Sequence, residues 1–535
     1  MIQITLQSEA VQQRLDSQLA DLLGNRIASR IGAKDASIWG PAAESEASIR
    51  LNWLDAPQHG TALVEAVQPV ADAFRAQGVT RVVLSGMGGS SLAPEVIARS
   101  QQLSLVTLDA TDPGQVRHSV QQLAQTVLVN SSKSGSTVET DSHRRVFEQA
   151  FTEAGIDPHE RIVFVTDPGS PLAQSTTAAG FAHVIEADPL VGGRFSALTA
   201  FGIVPTLLAG GSVDVLLHDA AQAREAMLLD SPDNPVLMLA AAIAEKSPQQ
   251  NKLILVEDPD HEIGLGDWIE QLIAESTGKE ATGILPVIVA AGAPELSSAA
   301  SDQIVLWLGS ADAAQRHGVN ADIVVDATLG EHFMLWEYAT SVMGYLLQIN
   351  PFDQPDVESA KLAARALLDS GIQEAEVSPL RPGLGIRGSE NLGNPADIAT
   401  ALRALLAGVK EDSYFAVQVY LDRVSHPEYF ELREVFAAAT ARPTTFGWGP
   451  RFLHSTGQFH KGGQAQGVFL QLVASGQQDY AIPGRDFTFA QLMGAQADGD
   501  REVLAGHGRP VLSLAVLDPK QALSELREIL KDIHS

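Results

Sequence analysis

Residues 82–95 read VVLSGMGGSSLAPE, in which an apolar run leads into a glycine-rich loop and then into a helix-like segment. The apolar run favours a buried strand, and the glycines let the backbone come close to a ligand. A helix that begins behind such a loop offers free amides and a positive dipole end, where an anion can bind. A dinucleotide site is the alternative, because Gly86 and Gly88 begin a G-x-G and Asp109 follows about twenty residues later. Ser91, however, stands where that fingerprint needs its third glycine.

Strand-like and helix-like segments alternate along the chain on both sides of this stretch. This alternation indicates a parallel sheet that is covered by helices on both faces. The predicted helices include 61–77, 334–348 and 356–368. The predicted strands are 82–84, 105–108, 127–130, 162–166, 183–186, 253–257, 284–290, 304–308, 323–326, 414–421, 444–447, 468–473 and 511–517.

These elements predict an α/β protein with two α/β units and a C-terminal α/β segment. The expected division is a helical N-terminal segment at 1–50, a first domain at 51–220, a second domain at 221–410 and the C-terminal segment at 411–535. Residues 378–394, rich in glycine and proline, are predicted to form a surface connection.

The net charge and the cysteine content of the chain exclude several classes of binding partner and site. The 535-residue chain has a formal charge of -29 and contains no cysteine. Its negative field repels nucleic acids and anionic membranes, so neither is an expected partner. The lack of cysteine excludes disulfides and thiolate metal sites and fits a cytoplasmic location. The sequence has no run of about eighteen uncharged apolar residues and no secretory signal pattern at its start, so no membrane span is expected.

A second polar loop follows the predicted strand at 127–130. Its sequence, SSKSGSTVET (131–140), places five hydroxyl side chains within seven positions at the start of a helix. Serine-rich loops are often only flexible or helix-capping. However, this loop and residues 85–91 both follow strands of one α/β unit, and an open sheet binds its ligand at such strand ends. Together they favour a small phosphorylated ligand, with Lys133 as a source of positive charge.

Two further stretches carry charged side chains where function could use them. The segment GGRFS (192–196) sets Arg194 beside paired glycines, so that it can point into a crevice, although a surface turn is the alternative. The segment 267–279 reads as a helix that ends at Gly278, and Glu275 lies in its last turn. The helix dipole disfavours a carboxylate there, which hints at function, whereas a solvated helix face is the alternative.

These four stretches together resemble the phosphoglucose isomerase family, and the resemblance covers most of residues 80–480. It implies two sugar-isomerase-type domains, each a mostly parallel sheet between layers of helices. It also implies a catalytic glutamate, Glu275, and an active-site arginine, Arg194. The loops at 85–91 and 131–140, called the first and second cradle loops below, would bind the phosphate of the substrate. The residues implied are Gly89, Ser90, Ser132, Lys133, Ser134 and Thr137.

Two more segments extend the resemblance. GYLLQINPFDQPDVESAK (344–361) resembles the closing signature of the family, which implies a phosphate-binding Gln354 and a catalytic Lys361. LHSTGQF (453–459) resembles the segment that carries the catalytic histidine, which points to His454.

The histidine segment stands outside the usual order of the family. In ordinary members it lies between the glutamate and lysine segments, whereas here it follows the lysine segment by about ninety residues. That order is similar to the isomerase half of transaldolase–phosphoglucose isomerase fusion proteins. Because only about fifty residues precede the isomerase-like region, no transaldolase half is expected. His460, in the same loop, is the alternative to His454. If the C-terminal strands join the second sheet, His454 can face the same crevice as Glu275.

The resemblance implies reversible isomerisation of glucose 6-phosphate and fructose 6-phosphate, with no metal and no other cofactor. Glu275 would move the proton between C1 and C2, and His454 with Lys361 would open the sugar ring. Arg194 would stabilise the enediolate. The alternatives are an isomerase that also accepts mannose 6-phosphate and a sugar-phosphate sensor without turnover; a nicotinamide dehydrogenase is disfavoured by Ser91. The expected partner is a small-molecule sugar phosphate, and a homodimer is one oligomeric state open to the chain.

Overall fold

The computed structural model describes residues 2–244, 247–297, 300–369, 378–393 and 395–534. The strands of these residues are β1 (Gln3–Leu6), β2 (Arg81–Ser85), β3 (Leu105–Leu108), β4 (Thr126–Ser131), β5 (Ile162–Thr166), β6 (His183–Glu186), β7 (Lys252–Glu257), β8 (Leu285–Val289), β9 (Gln303–Leu308), β10 (Ile323–Asp326), β11 (Ser378–Pro379), β12 (Leu384–Gly388), β13 (Tyr414–Tyr420), β14 (Thr444–Trp448), β15 (Gly467–Ala474) and β16 (Val511–Val516).

The α-helices of the described residues lie between these strands and after the last of them. They are α1 (Glu9–Gly24), α2 (Ile27–Gly32), α3 (Glu44–Ala47), α4 (Ala56–Ala76), α5 (Leu92–Ser100), α6 (Pro113–Ser119), α7 (Val138–Glu153), α8 (Pro171–Ala179), α9 (Ala200–Leu208), α10 (Asp214–Met227), α11 (Pro235–Ala244), α12 (Leu265–Thr277), α13 (Ala311–Arg316), α14 (Leu329–Leu346), α15 (Pro355–Asp369), α16 (Ile398–Leu406), α17 (Leu432–Thr440), α18 (Gly457–Gly462), α19 (Phe489–Gly506) and α20 (Pro519–His534).

The first sheet is parallel throughout, in the order β3-β2-β4-β5-β6. Its central strands are almost entirely buried, as apolar runs in a sheet covered on both faces require. The chain leaves β2 toward β3 on one side and later continues from β4 to β5 on the other. The connections therefore diverge between β2 and β4, and an open α/β sheet binds ligands at the carboxyl ends of the strands at such a point. The loops 86–91 and 132–137 begin there.

The second sheet has the order β1-β10-β9-β7-β8 and is parallel except for β1. The prediction that residues 1–50 are helical is wrong at their start, because β1 pairs antiparallel with β10 at the edge of the sheet. The apolar stripe of α12 is buried as its spacing predicts, with Trp268, Leu272 and Ile273 all inside the core.

The third sheet has the order β11-β12-β16-β15-β13-β14. The four strands β13 to β16 are parallel, and β12 runs antiparallel to β16. The C-terminal strands thus form a sheet of their own, so the condition that they join the second sheet is not met. The surface connection predicted at 378–394 is also wrong in part, because β11 and β12 lie within it.

Buried apolar contacts join the three sheets. Leu84 of β2 and Leu253 of β7 belong to one core cluster, which links the first sheet to the second. Tyr414 of β13 and Phe469 of β15 pack in a cluster with Ile254 of β7, which links the second sheet to the third. A site at the junction can therefore draw side chains from all three sheets.

The architecture confirms the predicted fold class, since mostly parallel sheets are flanked by helices. Among the helices of the described residues, none is long and apolar enough to cross a lipid bilayer.

Candidate active site

Three loops approach one another closely at the divergence point of the first sheet. Gly88 has a φ of +56°, and a Cβ built on it would lie 2.6 Å from Nε2 of Gln271 on α12. A Cβ on Gly89 would lie only 1.9 Å from the carbonyl oxygen of Gly193. Glycine at these two positions is what allows the loop after β2 to touch both α12 and the loop that carries Arg194.

Arg194 is buried, and its guanidinium is surrounded by acceptors from two segments. Nε donates to Oγ of Ser276 at 2.6 Å, and Nη1 donates to Oε1 of Gln354. Nη2 donates to the carbonyl oxygens of Pro351 and Asp353 at 2.7 and 3.0 Å. Burial lowers the pKa of Arg194, which the nearby carboxylates oppose. The side chain therefore fixes the loop before α15 against the end of α12 and holds a positive charge buried from solvent.

Glu275 lies beside that charge in the last turn of α12. Its Oε1 is 3.4 Å from Nη1 of Arg194, and both side chains are at least nine-tenths buried. Its Oε2 accepts a hydrogen bond of 3.0 Å from Nε2 of Gln271. The same Nε2 is 2.9 Å from the carbonyl oxygen of His454. One amide group thus bridges Glu275 and the backbone of His454.

His454 follows β14 in a short helical turn and faces a carboxylate on α7, a helix between strands of the first sheet. Its Nε2 is 3.0 Å from Oε1 of Glu139, which is in the first turn of α7. Gln496 of α19 donates to the same oxygen at 2.7 Å and accepts from Thr111, so the carboxylate is held from two sides. Because a carboxylate accepts, Nε2 of His454 is the donor in this contact, and Nδ1 is the ring nitrogen left for another partner. Glu139 lies within the quoted segment 131–140, and an acidic residue directly behind the cradle loop is the signal that could have found it.

His460 lies in the protein core, away from this arrangement. Its Nδ1 is 2.9 Å from the hydroxyl of Tyr414, and the two rings stack with centroids 5.6 Å apart. Burial lowers the pKa of His460 well below its ordinary value. The structure thus gives the alternative histidine a packing role, whereas the backbone of His454 is linked to Glu275 through Gln271.

The hydroxyl groups of the second loop bond to one another. Oγ of Ser132 donates to Oγ1 of Thr137 at 3.1 Å, and Ser134 and Ser136 share a contact of 3.1 Å. Thr137 is the N-cap residue of α7, yet its side chain makes no capping hydrogen bond. The hydroxyls therefore converge at the N-terminus of α7 without being used by the helix, at the same sheet edge as the buried Ser90.

Lys133 is directed toward a carboxylate within the protein. Its Nζ is 2.6 Å from Oδ2 of Asp167, and burial lowers the pKa of the ammonium. The charge that sequence analysis assigns to phosphate already has an anionic partner, so phosphate binding by Lys133 stays a prediction.

Lys279 is a charged residue of the site that sequence analysis passed over. It lies two residues after the end of α12 and is buried, and its Nζ lies 2.7 Å from the carbonyl oxygen of Asn350 and 2.6 Å from Oδ1 of Asp353. Burial and the charge of Arg194 lower the pKa of Lys279 to about 8. Two buried cations therefore anchor residues 350–354, and Gln354 reaches Arg194 from that loop. Its position at the end of the segment 267–279, four residues after Glu275, is the signal in the sequence.

Lys361 lies on α15, and its side chain is outside the described residues. The position of its backbone on the helix that begins directly after Gln354 is all that the structure gives for it. Its role stays a prediction.

The alternative of a dinucleotide-binding site requires Asp109 to be available for the ribose, and the structure does not leave it available. Asp109 is buried at the end of β3, and its Oδ2 is 2.8 Å from Nη1 of Arg451. Its Oδ1 is 3.2 Å from Nη2 of Arg423. A carboxylate that is enclosed by two arginines is not placed to bind a ribose hydroxyl.

Comparisons with known proteins point the same way as this geometry. No family model matches the chain. A probable glucose-6-phosphate isomerase of Haloarcula marismortui is 30% identical over 401 residues, which cover 64% of this chain and 89% of that protein. Another from Natronomonas pharaonis is 30% identical over 427 residues, which cover 70% of this chain and 94% of that protein.

Two solved structures share the fold. A hypothetical protein of Thermus thermophilus aligns over 69% of this chain and all of its own length, with a TM-score of 0.59 and 22% identity. A glucose-6-phosphate isomerase of Chlamydia trachomatis aligns over 69% of this chain and 88% of its own length, with a TM-score of 0.52 and 17% identity. Because the sequence relatives at 30% identity are matched over almost their whole length, the chain belongs to the glucose-6-phosphate isomerase family.

Proposed function

We propose that this protein interconverts glucose 6-phosphate and fructose 6-phosphate. The observation that carries the proposal is the meeting of Glu275, Arg194 and His454 beside the hydroxyl cradle at the divergence point of the first sheet. These residues come from three parts of the chain, and each has a distinct chemical use in aldose–ketose isomerisation.

Ring opening is assigned to His454. The sugar ring opens when its hydroxyl at the anomeric carbon loses a proton and the ring oxygen gains one. Glu139 holds Nε2 of His454 at 3.0 Å, which fixes the tautomer and leaves Nδ1 to exchange protons with the sugar. Lys361 is the proposed partner in this step.

Proton transfer between C1 and C2 is assigned to Glu275. Gln271 and Arg194 hold both carboxylate oxygens, so the base approaches the open-chain sugar in one orientation. The buried charge of Arg194 stabilises the negative charge that develops on the enediolate. Because this charge is prearranged by four hydrogen bonds, it needs no reorganisation during the reaction.

Phosphate binding is assigned to the two cradle loops, with Ser132, Ser134 and Thr137 as hydroxyl donors and Gly89 and Ser90 from the first loop. The N-terminus of α7 adds amide groups and a positive dipole end. Gln354 is a further proposed contact. This grip lies away from the reacting carbons, so it can orient a flexible open-chain sugar. A cytoplasmic location and a homodimer belong to the same proposal.

A coupled assay with fructose 6-phosphate tests the reaction, and His454→Ala tests the ring-opening step. On the cyclic sugar the variant should lose about two to four orders of magnitude in kcat. On erythrose 4-phosphate, a four-carbon aldose phosphate that cannot close a ring, it should retain most of its activity. Absence of turnover with fructose 6-phosphate in the wild-type protein would refute the function, and equal loss on both substrates would refute the role of His454.

A further inference from the structure

His454 is separated from the rest of the site by a domain boundary. It is the last residue of the turn Arg451–His454, which follows β14 of the third sheet. Glu275 and Glu139 belong to helices that flank the other two sheets. The position of the imidazole therefore depends on how this one turn is attached to its neighbours.

Arg451, the first residue of that turn, makes the attachment. Its Nη1 is 2.6 Å from Oε2 of Glu95 and 2.8 Å from Oδ2 of Asp109. Its Nη2 is 3.8 Å from Oδ2 of Asp267. Glu95 lies on α5, behind the first cradle loop, and Asp267 lies on α12, the helix of Glu275. One guanidinium thus contacts both elements that frame the site.

This ion cluster is largely buried. The side chain of Arg451 is 11% exposed, and those of Glu95 and Asp109 are 13% and 1% exposed. Although burial acts to raise it, the guanidinium groups of Arg451, Arg423 and Arg99 hold the pKa of Glu95 down at about 2. The carboxylate is therefore charged at neutral pH. Hydrogen-bonded ion pairs of this kind have a preferred geometry as well as attraction.

The spacing within the turn connects this cluster to the imidazole. In a 3₁₀ turn, side chains three residues apart lie one above the other, so Arg451 and His454 share one side of the turn. The carbonyl oxygen of His454 is held in addition by Gln271. A shift of about 1 Å in a catalytic group can cost about a hundredfold in rate.

We propose that Arg451 is a positioning residue for ring opening, which clamps the turn that carries His454 onto α5 and the end of β3. The inference rests on the ring-opening role of His454 in the proposed function. Arg451 does not touch the sugar; it acts through the place it gives to the imidazole.

Arg423 provides a matched control. It comes from the same domain and contacts the same carboxylates, with Nη1 3.6 Å from Glu95 and Nη2 3.2 Å from Asp109. It lies at the end of β13, thirty-one positions before His454, and not in the turn. Arg423→Met therefore removes a charge from the cluster and leaves the attachment of the turn in place.

The test compares Arg451→Met, Arg451→Lys and Arg423→Met on fructose 6-phosphate and on erythrose 4-phosphate. Arg451→Met should lower kcat on the cyclic sugar about 10- to 100-fold and change kcat on the four-carbon substrate less than about threefold. Arg451→Lys should recover part of the loss, and Arg423→Met should show no such preference. Equal losses on both substrates, or the same selective loss in Arg423→Met, would overturn the proposal.

The double variant Arg451→Met/His454→Ala separates this inference from the proposed function. If Arg451 acts through His454, the double variant should be no slower on the cyclic sugar than His454→Ala alone. Multiplying losses would overturn the positioning role while leaving the isomerase assignment intact. If His454→Ala itself shows no selective loss, ring opening by His454 fails and the positioning role fails with it. If the melting curve shows that Arg451→Met does not fold, Glu95→Gln replaces it, because Glu95 is the carboxylate that Arg451 contacts. Glu95→Gln should then show the same selective loss of kcat on the cyclic sugar. Without that loss the proposal is overturned.

Discussion

Replacing Glu275 by glutamine tests the centre of the proposed mechanism. The substitution keeps the shape of the side chain and removes its charge and its ability to accept the proton. The amide oxygen can still accept from Nε2 of Gln271, which lies 3.0 Å from Oε2 in the wild-type protein. Its amide nitrogen would then face Nη1 of Arg194, 3.4 Å from the replaced oxygen. Substrate binding should change little, because the cradle loops remain.

The expected losses in rate and in stability can be estimated separately. Removing a general base costs about two to four orders of magnitude in kcat, which corresponds to about 2.7–5.4 kcal/mol of activation free energy. Breaking a buried ion pair typically costs about 3–5 kcal/mol of folding free energy. We expect the low end of that range here, since Arg194 keeps its hydrogen bonds to Ser276, Gln354, Pro351 and Asp353.

The assay measures kcat and KM with fructose 6-phosphate, together with the melting temperature of each variant. Glu270→Gln is the matched control, because Glu270 is on the same helix and burial already raises its pKa well above the ordinary value. It should retain near-normal kcat. Near-normal turnover in Glu275→Gln would exclude Glu275 as the base, and a large rise in KM with unchanged kcat would assign it to binding instead.

Three further expectations follow from the site. Thr137→Ala should raise KM by an amount equivalent to about 1.5–3 kcal/mol, because one hydrogen bond to a charged group is lost. Thr152→Ala on α7 is the control and should leave KM unchanged. Equal substrate binding by the wild type and Thr137→Ala would mean that the phosphate binds elsewhere. Exhaustive chelation should leave activity unchanged, and loss that one divalent ion restores would contradict this. Because the pKa of Lys279 is lowered from 10.5 to about 8, the unfolded state binds more protons between these values, so this group adds stability as pH rises through that window. Lys279→Met should flatten that rise in urea unfolding, and an unchanged pH dependence would show that Lys279 does not titrate there.

Much of the fold could be predicted because its strands are short apolar runs between helices. All thirteen predicted strands are present within one residue of their expected bounds. The strands β1 and β12 are not predicted from the sequence, for a physical reason. β1 reads QITL, in which polar residues alternate with apolar ones, and β12 contains glycines at both Gly385 and Gly388. Neither provides the continuous apolar signal that a central strand gives.

The candidate site could be predicted residue by residue, but its internal contacts could not. Glu275 and Arg194 were identified from separate segments, and nothing in either segment states that they form an ion pair. Glu139 and Gln271 look like ordinary helix residues, and Lys279 looks like an ordinary residue after a helix, until their neighbours are known. Their importance comes from contacts that span between 71 and 315 positions of sequence.

The late position of His454 in the chain has a structural explanation that does not involve the second sheet. The C-terminal strands build a third sheet, so the histidine does not reach the site as part of the second sheet. It arrives on a turn after β14, and that turn is attached by Arg451 to α5 and by Gln271 to α12. What a catalytic group requires is a fixed place near its partners, and attachment by side chains can supply this from any sheet. The order of segments along the chain is therefore free to vary as long as those attachments persist. When the order of segments is permuted, the position of the catalytic histidine depends more on side-chain attachments such as those of Arg451. The resemblance to transaldolase–isomerase fusion proteins stays a prediction. If it holds, the same dependence is expected in those proteins.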